Sequence, residues 1–425
     1  MDKIHHFNKE LLYTNITILL FSMLPISIII GTLILNLNII ILNLITLIYC
    51  FDYNYWKWTK SRLFKIFIIF YIYLILNSIL NYATDQQLGF DGIIRSISFI
   101  KFILLTFSLS ILIKQQNEIK KILFVWLITI SIVIFDVFFE SFFGFNTLGF
   151  TSLDYTRIVS FFYDESVVGG YLLAFSYIIF TFFINNSYKF KTKILLNIFL
   201  ILIPLSVLVT GERSNFLKCI FLFTIILFII KEDFLIIKKS KILILVITGI
   251  ILSISLNQNI YIKQTEFFKR LLTVKDTENI KDRFQKIKYF AHYDTAWNIF
   301  KDSPLNGVGS KNFRIKCADE KYFNKNLIFS KTRCSTHPHQ IHFELLSEQG
   351  LIGYFLFFYL IISFIINNLK RKNSTNDIYT LTLNFYLLIF LIPLLPGGGV
   401  FSSYNGSLFW IVFTLANQNN EIKKN

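Results

Sequence analysis

A chain of 425 residues with 54% hydrophobic side chains and a mean hydropathy of +0.57 is too apolar to be a string of soluble domains. Its apolar residues come in runs of about 17–20, the length that crosses a bilayer, so it reads as an all-α polytopic membrane protein. The net charge of +16 falls largely in the connections between those runs, where it reports topology, and no nucleic-acid partner is expected.

Apolar windows bounded by charge predict about twelve transmembrane helices, near 11–31, 34–50, 63–80, 96–113, 122–140, 167–185, 194–210, 214–230, 242–257, 350–367, 379–395 and 402–417. Lys3 and Lys9 precede the first run, which lacks a small-residue cleavage site and is expected to be an uncleaved span. Cations cluster in alternate connections: Lys57, Lys60, Arg62 and Lys65; Lys114, Lys120 and Lys121; Lys189, Lys191 and Lys193; Lys231, Lys238, Lys239 and Lys241; Lys370, Arg371 and Lys372. The connections between them, near 81–95, 141–166, 210–213 and 396–401, hold only Arg95, Arg157 and Arg213. The cation-rich side is therefore expected to be cytoplasmic, with both termini on it.

Three regions follow: helices 1–9 over residues 1–257, a long outward loop or cap over 258–348, and helices 10–12 over 349–425. In the loop, Tyr289, Tyr293, Ala296, Trp297 and Phe300 recur at helical spacing, and Pro304, Gly307 and Gly309 end that helix. Cys317 and Cys334 share the loop, where a bridge between them would restrict the chain by about 3 kcal/mol; two free thiols are the alternative. Cys50 and Cys219 fall in spans, as small buried hydrophobes.

Candidate chemistry gathers at the outer ends of the spans. Arg213 occupies a turn between the seventh and eighth spans, with Ser214 expected to cap the eighth. There its planar fork suits phosphate beside free N–H groups. Pairing with Glu212 or snorkelling to headgroups is the plain alternative. Arg157 is a second anion contact in the loop before the sixth span, and Asp164 and Glu165 read as caps on that span's dipole. Lys101 and Lys218 are expected to snorkel, although Lys218, a turn below Arg213, can line the same cavity.

Cys334, His337, His339 and His342 lie within nine residues, just before the tenth span. They could form a zinc set, but Pro338 holds His337 extended and the helix is expected to begin near His339. The ligands would then not share a face, and no metal is expected. A neutral His339 on the first helical turn, its pKa depressed by nearby arginines, suits a general base. His342 continues the inward stripe and reads as packing.

Taken together, Arg157 through Gly169, the turn of Gly211, Glu212 and Arg213, the run from Ala296 to Gly309 followed by Asn312 and Arg314, and above all His337, His339, His342, Glu348, Gly350 and Gly353 resemble the O-antigen ligase and O-antigen polymerase superfamily of bacterial inner-membrane glycosyltransferases. The resemblance implies transfer of a glycan from an undecaprenyl diphosphate carrier to an acceptor hydroxyl at the periplasmic face, without a nucleotide sugar or other cofactor. The acceptor is the lipid A core for a ligase and a carrier-linked repeat for a polymerase; membrane lipids are the remaining partners. It assigns His339 as base, His337 as its auxiliary, and Arg213 and Arg157 as diphosphate contacts. Gln340 stands where the family often has asparagine. The family's arginine ahead of the tryptophan-containing helix is missing here, and Arg314 is the substitute. A lipid-linked oligosaccharide flippase is the rival from another class; it would show charge at mid-membrane and similar halves, and the sequence has neither.

Overall fold

The computed structural model describes residues 2–85, 88–154, 157–163, 167–185, 190–262, 264–265, 287–370, 377–393 and 395–422. Asp164 and Glu165, expected as caps, lie outside them. The described residues contain helices and no strand. In chain order the helices are α1 (Asp2–Ser22), α2 (Leu24–Ile30), α3 (Thr32–Asp52), α4 (Arg62–Thr84), α5 (Asp91–Ser98), α6 (Ile100–Leu112), α7 (Gln116–Phe143), α8 (Val168–Asn185), α9 (Phe190–Val209), α10 (Arg213–Ile229) and α11 (Lys239–Leu256). They are followed by α12 (Lys288–Asp302), α13 (Ile341–Leu369), α14 (Ile378–Phe390) and α15 (Asn405–Ile422).

Among the described residues, eight helices are long and apolar enough to cross a membrane, with α5 and α6 counted as one. The pair α1 and α2, bent by 44° next to Pro25, would make nine. Each of the twelve apolar windows coincides with a helix, yet α10, α14 and α15 fall short of that test. Two of them are short, at 17 residues for α10 and 13 for α14, and the second half of α15 includes the polar Asn417, Gln418 and Asn419. The reason for α14 and α15 is local: the connection between them turns into the bundle instead of leaving it. Val400 and Phe401 are buried, Phe401 packs against Phe70 and Phe99, and Trp410 Nε1 donates to the Val400 carbonyl.

Nearly every side chain of α8 is buried. It is the central helix, packed on α7, α9, α10, α14 and α15. Apolar side chains pointing outward from α3, α4, α7 and α11 supply the lipid-facing surface, as expected where lipid replaces water. Asparagines hold helices together: Asn38 donates to Ser27 and the Leu20 carbonyl, Asn43 to the Lys101 carbonyl, and Asn368 to Asn384.

α13 is broken where the cap enters it. Gly350 has φ 62° and ψ −168°, outside helical space. The turn after α12 fills the break with four backbone bonds: Val308 N to Ser347 O at 2.9 Å, Gly309 N to Glu348 O at 2.8 Å, Leu351 N to Pro304 O at 2.8 Å, and Ile352 N to Leu305 O at 3.2 Å. Asn77 of α4 donates to Asn306 O at 2.8 Å and to Gln349 Oε1 at 3.1 Å, and Tyr73 donates to Gln349 O. The cap and the membrane bundle are thus joined through backbone polar groups that a continuous helix would have used internally.

Around that joint, Ala296, Ile299, Val308, Phe313, Cys317 and Tyr322 form a small core, with Tyr293 stacked on Phe343 at 4.9 Å. The inward face of α12 is Ala291, His292, Tyr293, Ala296 and Ile299. Trp297, expected on it, is 43% exposed, because the helix is rotated toward the Ile299 side to meet α13. A disulfide joins Cys317 and Cys334, with Cα atoms 5.3 Å apart. Arg333 staples the same loop, donating from Nε to Cys317 O at 2.8 Å and from Nη2 to Ala318 O at 3.0 Å.

Candidate active site

The segment between Cys334 and α13 is positioned from three sides. Gln340 is the N-cap of α13, and its side chain accepts from Phe343 N at 3.0 Å. The helix therefore starts at Ile341, and His339 precedes it instead of lying on its first turn as the spacing suggested. His339 adopts φ 59°, a left-handed conformation strained for a non-glycine residue. Its carbonyl accepts from Gly397 N at 2.7 Å, and its Nε2 meets Ser335 Oγ at 2.9 Å. From the cap, His292 Nδ1 meets the Arg333 carbonyl at 2.8 Å and so anchors the segment's start.

The imidazoles form a cluster. Ring centroids of His339 lie 4.5 Å from His337, 5.2 Å from His292 and 5.3 Å from Tyr289. Burial, reinforced by His337, His292 and Lys288, pushes the His339 pKa down to about 3. Burial, with His292, Arg314 and Arg95 adding to it, pushes His337 down to about 4. The sequence reasoning credited arginines with depressing His339; burial is the larger cause, and the arginines act on His337. Both rings are neutral at pH 7. Cys334 is held in the disulfide, so its sulfur is not a thiolate ligand for a metal. His342 uses both nitrogens structurally, at 2.9 Å from Tyr354 Oη and 2.8 Å from Leu391 O.

A pH dependence follows. Between about pH 6.5 and pH 3 the unfolded chain binds protons on these histidines that the folded chain does not, so stability is full above that window and falls as pH drops through it. Going from pH 7 to pH 5 is expected to remove about 1–2 kcal/mol through His339. Thermal unfolding in detergent at both pH values should show a smaller drop for His339→Gln than for the native protein; equal drops would refute the assignment.

Arg314 sits in the single turn Phe313–Lys316, which Glu348 holds by accepting from Lys311 N at 2.8 Å and Phe313 N at 3.2 Å. Arg95 of α5 donates to the Phe401 carbonyl and lies within electrostatic reach of Glu344, Glu348 and His337. It was missed as a site residue, although being the sole cation of residues 81–95 was a usable signal. Lys218 does not snorkel. It is 5% exposed, and a Cβ on Gly397 would lie 3.2 Å from its Nζ.

Arg157 and Arg213 belong to a second cluster at the same end of the bundle. α10 begins at Arg213 itself, with Glu212 rather than Ser214 in the cap position. The Glu212 carboxylate is committed to its surroundings, accepting from Gly169 N and Asn215 Nδ2, both at 2.6 Å. Ile158 N donates to Thr210 O at 3.3 Å, which ties the arginine loop to this turn. Arg157 Nε lies 3.6 Å from Asp154 and lines a cavity of about 300 Å³ with Thr151, Ser152, Asn257 and Asn259. Asp136 and Glu140 of α7 fix that loop by accepting from Thr147, Val159 and Ser160. The 395–404 connection bridges the clusters, bonding to His339 through Gly397 and to Val167 through Tyr404 Oη at 3.2 Å.

Helices of this length and apolarity, with a polar cap closing histidines and arginines over one end, define a multi-pass membrane protein with a polar site at a bundle mouth. Residues 198–358, from α9 into α13, match the family model described as O-antigen ligase, and over that stretch the chain is similar to the O-antigen ligase and polymerase superfamily. No curated protein matches the chain.

Proposed function

We propose that this protein is a ligase-type glycosyltransferase of the bacterial inner membrane. It moves a glycan from undecaprenyl diphosphate to a hydroxyl of the lipid A core at the periplasmic face. The observation that carries the reading is the neutral imidazole pair His337 and His339, brought beside Arg314 and Arg95 at the head of α13, inside the stretch that matches the O-antigen ligase model.

The chemistry requires a base for the acceptor hydroxyl and positive charge for the departing diphosphate. His339 takes the hydroxyl proton, the acceptor oxygen bonds to the sugar's anomeric carbon, and the bond from that carbon to the phosphate oxygen breaks with its electron pair going to the diphosphate. An imidazole with a pKa near 3 is by itself a weak base. A diphosphate arriving nearby favours the imidazolium and raises that value, so the donor itself activates the base. Arg213, Arg157 and Arg314 absorb the charge that develops on the leaving group.

Arg213→Ala is expected to lower turnover by about 10²–10³-fold, with smaller effects on donor binding. The test of the whole reading supplies purified protein with carrier-linked glycan alone and then with lipid A core. Transfer only when the core is present supports the ligase. Chain growth without it indicates a polymerase, and no transfer in either case overturns the proposal.

A further inference from the structure

Three adjacent glycines in the connection between α14 and α15 each abut a polar side chain. A Cβ on Gly397 would lie against Lys218 Nζ, one on Gly398 would collide with Asn405, and one on Gly399 would collide with the Glu344 carboxylate. Lys218 and Glu344 are both 5% exposed, and Gln340, one turn before Glu344, is 1% exposed. Gln340 Nε2 and Glu344 Oε2 are buried atoms without a hydrogen-bond partner among the described residues. Among those residues, no carboxylate lies within ion-pair distance of Lys218, whose Nζ has the Phe390 ring face 5.7 Å away. Buried polar groups are ordinarily paired, and an ammonium inside a transmembrane bundle is especially costly alone. Such groups gathered on one strip of bare backbone mark a place that a ligand completes.

The ligand's chemistry follows from the mixture. A simple anion would satisfy Lys218 but meet Glu344, and a neutral molecule would leave Lys218 uncompensated. A sugar phosphate has both parts: charge for the ammonium, and hydroxyls that donate to a carboxylate and accept from an amide. The two parts are separated on the strip, since Lys218 and the Glu344 carboxylate abut glycines two residues apart and lie beyond ion-pair distance of each other. It also touches the catalytic segment, through the bond from Gly397 N to the His339 carbonyl.

We infer that this glycine strip seats the sugar–diphosphate junction of the lipid-linked donor, with phosphate at Lys218 and hydroxyls of the first sugar at Glu344 and Gln340. The inference rests on the glycosyltransferase reading above and adds to it the determinants of donor selection. Lys218 thereby becomes a donor-binding residue rather than a lipid-facing one.

Binding to the full-length protein in detergent is the test, using undecaprenyl diphosphate and the same carrier bearing one N-acetylhexosamine or one hexose. Lys218→Met should weaken both kinds of carrier at least tenfold. It should also raise the melting temperature of the ligand-free protein, because an uncompensated buried charge has been removed. Glu344→Leu should leave the bare carrier's affinity within twofold and abolish the preference for a sugar-bearing one, with Glu344→Gln restoring part of it. Native-like affinity in Lys218→Met together with a retained sugar preference in Glu344→Leu overturns the inference alone. Native protein that binds no carrier overturns the glycosyltransferase reading with it.

Discussion

Replacing His339 with asparagine is expected to cut glycan transfer by about 10²–10⁴-fold, the usual contribution of a positioned general base. Asparagine is the informative substitution because it tolerates the left-handed backbone that His339 adopts, whereas alanine adds a backbone penalty of about 1 kcal/mol. The His339→Asn protein should therefore melt close to the native temperature while losing turnover, separating the loss of imidazole from any loosening of the segment. His337→Ala should cost less than His339→Asn, since His337 neighbours the base and the cations without being assigned the proton. Native turnover in His339→Asn would remove it as the base.

Gly350→Ala is expected to have the largest effect on stability, at least about 3 kcal/mol, from backbone strain and steric overlap together. The backbone at Gly350 occupies a region open essentially to glycine, and an added Cβ would run into Leu305 and lie 2.5 Å from Asn306 N. Gly307, on the opposing turn, is similarly enclosed, with a Cβ falling 2.6 Å from Ser347 O. Relieving either clash means withdrawing the turn from the break in α13 and losing the four backbone bonds that join cap to bundle. Gly249→Ala, on lipid-facing α11, is the control. Its Cβ meets only the flexible tip of Leu205, so thermal unfolding should shift little. A Gly350→Ala protein that unfolds like the native one would show that the cap does not depend on this joint.

Much of the architecture was legible because bilayer spans have a length and an apolarity that local sequence must carry. All twelve apolar windows fall on helices, and the two cysteines that pair in the long polar segment stood out by composition. Three things escaped a linear reading. The weak performance of α14 and α15 as spans depends on a connection packed into the bundle, which no window of hydropathy records. An asparagine inside an apolar window shows no role by its position in the sequence, yet Asn77 reaches across to the break in α13. The helical period carried through His339, whereas the cap at Gln340 and the bond from Gly397 hold that residue in a conformation its own preferences disfavour.

For the site, the sequence by itself determined which residue types were available and at which end of the bundle: three histidines ahead of a span, and scarce arginines in otherwise cation-poor connections. Local patterns suffice there, because charge in a membrane protein is confined to places the solvent or a ligand can reach. Only the tertiary structure decided which of them meet. It put Arg95 and Arg314 near His337, assigned Arg157 to a neighbouring cluster, spent His342 on Tyr354 and Leu391, and turned Lys218 inward to the glycine strip. The encounters of Arg95 with His337 and of Lys218 with Gly397 join segments distant in the chain, so they are set by helix packing, and no local spacing encodes them.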